Sequence, residues 1–155
     1  MESHYTWKTK FFSRKYEIYQ NENLVGEIMN KAFSRSASGE INSRKLLFEI
    51  KGFFRQVIRI IDLSNESVVA DVTISQWKSK STIQYNNKEY NWQHDNFWNT
   101  KWSISNENGD LVKYQSSSFG GEILSYTGDE VLILAGLFVK NFFRQRAAAA
   151  AAASA

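Results

Sequence analysis

The sequence contains no cysteine and no proline, only two histidines, and eight glycines. Without cysteine there is no disulfide framework, no thiol nucleophile and no thiolate metal site. Average usage of about 5% predicts seven or eight prolines in a chain of this length. With proline missing and glycine scarce, the thirteen asparagines must make many of the turns. Asn tolerates the left-handed conformation and can hydrogen-bond its own backbone two residues on. The N-terminal residues Met1 to Tyr5 lack the apolar stretch of a secretory signal, so a cytoplasmic protein is expected, peripheral membrane association being left open.

What is present is aromatic. Five Trp, seven Tyr and eleven Phe supply a sizeable core and exclude a disordered chain. The net charge of +3 permits an anionic partner without requiring one. Ala147 to Ala155, seven alanines followed by Ser-Ala, reads as a non-native or unassigned tail, leaving residues 5–146 as a single domain.

Residues 5–126 alternate apolar and polar side chains in short runs, as in Lys15-Tyr16-Glu17-Ile18-Tyr19 and Lys101-Trp102-Ser103-Ile104-Ser105. A period of two, rich in β-branched and aromatic residues, predicts strands. Polar Asn-rich turns separate them and predict antiparallel hairpins. Three hairpins resemble one another, and their Leu24, Val68 and Leu111 recur at spacings of 44 and 43 residues. Three copies are too few for a propeller ring, and the Trp-Asp and Gly-His signatures are missing. Recurring hairpins within one barrel is the reading they support.

Residues 129–146 break the alternation. Thr127, Gly128 or Asp129 can cap a helix, and the nine consecutive apolar residues Val131 to Val139 cover its whole circumference. Val131, Leu132, Ile133, Leu134, Leu137, Phe138 and Val139 are therefore expected to be buried on every side. A membrane span needs about twenty apolar residues, and Lys140 interrupts this run, so a transmembrane anchor is disfavoured. The fold class expected is mainly β: a closed antiparallel barrel of about twelve strands around a hydrophobic C-terminal helix. A calycin-like barrel with an external helix is the competing architecture.

The order of parts carries a resemblance. Hairpins of the type strand, Asn/Asp/Gly turn, Leu-Val strand are followed by Gly120-Gly121-Glu122-Ile123-Leu124 and then the apolar helix. In this the chain resembles the tubby C-terminal-like superfamily, which includes tubby domains, LURP-one-related proteins and phospholipid scramblases. The resemblance implies a non-enzymatic binding or scaffolding module, associated with anionic phospholipid of phosphoinositide type. Scramblase-like lipid movement is not supported, because the acylated cysteines and the calcium-binding loop have no counterpart. The alternatives are a calycin-like small-molecule carrier and a protein-interaction module with no ligand.

Strand parity nominates one headgroup site. Leu46, Phe48 and Ile50 face the core, so Lys45 and Lys51 face out, and Arg55 and Arg59 share an outer face beyond Gly52. With Arg44 these form a cationic stripe able to meet phosphate oxygens. The competing reading is a solvated face with scattered partners such as Glu49. A second stretch holds Trp77, Tyr85, Tyr90, Trp92, Phe97, Trp98 and Trp102 interleaved with Lys78, Lys80, Lys88 and Lys101, a combination that binds single-stranded nucleic acid. Alternate spacing assigns most of these rings to the core, and no nucleic-acid-binding motif accompanies them, so nucleic acid is disfavoured. No catalytic motif, metal site or cofactor motif is present: His4 and His94 lie far apart, His94-Asp95 reads as a surface loop, and Ser116 to Gly121 as a flexible turn.

These expectations meet in one residue. Leu134→Asp would bury an unpaired charge and should prevent soluble folding. A soluble variant that unfolds cooperatively, by circular dichroism against urea, would place the helix outside the barrel.

Overall fold

The computed structural model describes residues 2–10, 14–30, 35–52, 54–75 and 80–154. Its strands are β1 (Ser3–Thr9), β2 (Lys15–Gln20), β3 (Asn23–Asn30), β4 (Ser36–Ile41), β5 (Arg44–Lys51), β6 (Val57–Asp62), β7 (Ser67–Ile74), β8 (Lys80–Tyr85), β9 (Lys88–His94), β10 (Lys101–Asn106), β11 (Gly109–Ser117) and β12 (Gly120–Ser125). One helix, α1 (Glu130–Ala153), follows. Each strand pairs antiparallel with its sequence neighbour, and β1 pairs with β12, from Ser3↔Ser125 to Lys8↔Gly120, so the sheet closes on itself. Closure removes the unpaired edges that an open meander would expose.

Asparagine makes the tight turns. Asn21-Glu22, Asn42-Ser43 and Asn86-Asn87 each hold two successive residues at positive φ, between 49° and 70°. That is the two-residue turn whose twist matches the flanking strands. The three similar hairpins are β2–β3, β6–β7 and β10–β11, and each has a register shift at the same place, at Ile18/Tyr19, Ile60/Ile61 and Ile104/Ser105. A bulge increases local twist and bends its strand. Three equivalent bulges therefore curve the sheet toward closure at regular intervals.

The helix lies inside. Every residue from Val131 to Phe142 is buried, and the seven apolar positions expected to be central are each 3% exposed or less. Asp129 is the N-cap, its carboxylate accepting from the Val131 N–H at 3.0 Å. Phe138 stacks on Phe48 of β5 with ring centroids 4.5 Å apart. Twelve buried residues correspond to about 18 Å of helix enclosed by the wall. Two boundaries differ from expectation. Strand structure begins at Ser3 rather than residue 5, where pairing with Ser125 holds it. The helix continues beyond residue 146 to Ala153, because alanine is the strongest helix former.

Gly136 is the point of closest approach. A Cβ there would sit 2.1 Å from the Tyr114 hydroxyl. That hydroxyl donates to the Ile133 carbonyl at 2.8 Å, with the Leu132 carbonyl at 3.1 Å. The indole N–H groups of Trp92 and Trp102 both donate to the Gly136 carbonyl, at 3.0 and 3.1 Å, and Trp102 stacks on Tyr114 at 5.4 Å. In an exposed helix Gly136→Ala would gain about 1 kcal/mol of propensity. Here the steric term wins, since overpacking a core costs roughly 1–3 kcal/mol and Tyr114 is clamped on both sides. Gly136→Ala should lower the urea midpoint and the thermal midpoint. A midpoint at or above that of the unsubstituted protein would contradict this packing.

Candidate functional site

The fold divides the cationic stripe between three places. Lys45 and Lys51 do project outward from β5, but they are six positions apart, about 20 Å along a strand, and lie at opposite ends of the barrel. Arg44 shares the parity of the buried Leu46, and its guanidinium lies 3.3 Å from Asp62. The hydroxyl and N–H of Ser64, at 2.6 and 2.9 Å, and then Arg44 hold the Asp62 carboxyl below the usual carboxylate range. Arg59 stands in the middle of the wall, paired in register with Glu49 on β5 and Asp71 on β7, and 3.7 Å from the latter. Arg44 and Lys45 stay at the end where the helix starts, and Lys51 and Arg55 come together at the other. Lys51 lies 3.6 Å from Glu49, and Arg55 is exposed in the connection from β5 to β6.

That end is the one from which the helix emerges, and it is strongly basic. Its strand termini carry Lys15, Lys51, Lys80 and Lys101, and its connections carry Lys10, Arg14, Arg35 and Arg55. Arg144 and Arg146 join them where the helix leaves the wall. Asp95 is the one carboxylate among the described residues of these termini and connections. The opposite end, where the helix starts, has Glu22, Asp62, Glu66, Glu107, Asp129 and Glu130 against Arg44 and Lys88. The small net charge thus conceals a barrel with charge of opposite sign at its two ends.

The aromatic stretch divides in the same way. Tyr85, Tyr90, Trp92 and Trp102 are buried, while Phe97 and Trp98 are 87% and 78% exposed at the basic end. Trp77 and Lys78 lie outside the described residues. His94, expected in a surface loop, ends β9 with inward parity, its Nε2 3.0 Å from Lys140 Nζ. The Lys140 ammonium also donates to the Asn99 carbonyl at 2.7 Å and lies 5.3 Å from the Trp102 ring. Burial, assisted by the nearby Arg144, lowers its pKa to about 8. Beside it the Tyr16 hydroxyl donates to Asn141 at 2.8 Å, and the Asn141 amide donates to Asn30 at 2.9 Å. Neither Lys140 nor Asn141 was legible in the sequence as a core residue. Their only signal was their position directly after a continuous apolar run. Ser116 to Gly121 is also no flexible loop: Ser116-Ser117 ends β11, Gly120-Gly121 starts β12, and a two-residue turn joins them.

With the helix occupying the barrel, an open groove of about 980 Å³ lies across the outer wall, between the turn after β2 and β10. Several of its polar side chains engage one another: Lys113 with Asp110 at 3.8 Å, Gln115 with Glu122 at 3.5 Å and Lys8 over the Tyr19 ring at 5.2 Å. Among the described residues no group of three His, Asp or Glu side chains could hold a metal ion, and no helix is long and apolar enough to cross a membrane. Comparison with family models, curated proteins and solved structures finds no match.

Lys140 gives this end a pH signature. Its folded pKa is lowered, so between about pH 8 and pH 10 the unfolded chain holds a proton that the folded protein has lost, and stability rises with pH. Above about pH 10 the sign reverses, because Tyr16, Tyr85 and Tyr114 have raised folded pKa values, chiefly through burial, and ionise first in the unfolded chain. Urea midpoints across this range should climb and then fall. Lys140→Met should abolish the climb and keep the fall. A climb that survives the substitution would assign it to another group.

Proposed function

We propose that the protein is a non-enzymatic binding module that associates with anionic phospholipid surfaces through the end of the barrel from which the helix emerges. One observation carries this reading: the segregation of cations in the strand termini and connections of that end, where Asp95 is the one carboxylate among the described residues, with Glu27 and Glu49 on the adjoining wall 3.2 and 3.6 Å from Lys15 and Lys51. A basic residue near an anionic membrane contributes about 1 kcal/mol, and only residues that reach one plane act together. The rim of a barrel meets that condition, whereas a stripe along its wall does not. The tubby-like order of strands and helix supports the same ligand class, phosphoinositide-like headgroups included. The carrier reading loses its premise because helix side chains fill the interior.

Co-sedimentation with vesicles separates the ends. Binding to phosphatidylcholine vesicles should require phosphatidylserine or phosphoinositide and weaken with added salt. Lys51→Glu with Arg55→Glu should reduce it by about tenfold or more, since two charges of about 1 kcal/mol each are reversed. Lys45→Glu, at the opposite end, should leave it unchanged. Salt-insensitive retention, or equal loss in the two variants, would contradict the proposal.

A further inference from the structure

The same end carries a second kind of surface. Phe54, in the connection from β5 to β6, is 89% exposed, Phe97 and Trp98 between β9 and β10 are 87% and 78% exposed, and Phe119 between β11 and β12 is 55% exposed. The exposed apolar side chains at the other end are Leu24, Leu63, Val68 and Tyr126, at 41–55%. Bulky aromatic rings held in water at the tips of several connections, all on one end of a barrel, mark an interaction surface.

The 95–100 connection shows that this exposure is built in. The Asn96 side-chain oxygen accepts from the N–H groups of Thr100 and Lys101 at 2.9 and 3.1 Å, and its amide donates to the Thr100 hydroxyl at 2.6 Å. The Asp95 N–H donates to the Lys101 carbonyl at 2.8 Å, closing the base of the loop. Lys140 reaches up from the helix to the Asn99 carbonyl. This anchored turn presents Phe97 and Trp98 together, their rings edge to face at 5.3 Å, away from the core. Nothing in the loop's own bonding uses the two rings.

From this arrangement we infer that Phe54, Phe97, Trp98 and Phe119 insert into the headgroup–acyl boundary of the membrane, so that the barrel stands with its axis toward the bilayer. The inference rests on the anionic-surface reading above and adds to it an apolar anchor and an orientation. Aromatic rings favour the membrane interface, and basic residues around them meet anionic headgroups. Single-stranded nucleic acid also takes aromatic and basic residues, but it stacks along a groove that follows its backbone. These rings instead stand on separate loop tips around the emerging helix, a geometry suited to a surface that all of them can enter at once.

Trp98 is the probe. With phosphatidylcholine–phosphatidylserine vesicles, tryptophan emission should shift to the blue and be quenched by acyl chains brominated near the headgroup. Trp98→Phe, which keeps the apolar bulk, should remove most of that quenching while retaining binding. Phe54→Ala combined with Phe97→Ala and Trp98→Ala should weaken binding by about tenfold or more, with the fold intact by circular dichroism, because buried apolar area is lost. Sedimentation with vesicles but no bromolipid quenching would overturn insertion and leave surface association standing. No binding to anionic vesicles would overturn both. Quenching by a single-stranded oligonucleotide in the absence of lipid, with none by bromolipid, would assign the rings to nucleic acid and overturn the inference.

Discussion

A helix enclosed by a barrel has no solvent to turn toward, so every face of it must match the inner wall. The contact that sets the distance between them is at Gly136, where Tyr114 packs against the helix backbone and the indoles of Trp92 and Trp102 close on the same carbonyl. Three large side chains from β9, β10 and β11 thus grip one turn of α1. Their polar atoms are satisfied by helix carbonyls, which would otherwise leave an indole N–H or a phenol buried without a partner. Elsewhere the wall meets the helix through varied contacts: Phe48 stacks on Phe138, the Tyr16 hydroxyl donates to Asn141, and Gly39 leaves room beside Leu134.

This filling has a functional consequence. A barrel whose interior is occupied can act on other molecules only from its rims and outer wall. The wall is partly self-compensated: Glu49, Arg59 and Asp71 alternate in sign across three strands, and in the groove Lys113 meets Asp110 and Gln115 meets Glu122. The rims remain. One is acidic, has tight turns that each begin with Asn, and caps the helix. The other is basic, has exposed rings on its connections, and releases the helix. Lys140 and the Tyr16–Asn141–Asn30 bonds form the polar floor beneath that second rim.

Much of the architecture was legible because it depends on local periodicity. The run from Val131 to Val139 announced a helix apolar on all sides, which the inside of a barrel built from the preceding strands could bury. Alternation in β5 put Lys45 and Lys51 on the outer face. Parity gives the face of a strand, however, and not the height of two residues on it relative to a third strand. Grouping Lys45 with Arg55 therefore merged opposite ends of the molecule. The basic rim went unseen for the same reason: its cations come from positions far apart in sequence, one or two per connection, and only closure assembles them.

The central claim is that one end of a helix-filled barrel is the working surface. Amide hydrogen exchange with phosphatidylserine-containing vesicles tests it most directly. The account predicts new protection in 54–56, 95–100 and 118–119, with the turns at 42–43, 63–66, 86–87 and 107–108 exchanging as in the free protein. Protection confined to those four turns, or spread evenly over both rims and the outer wall, would contradict it.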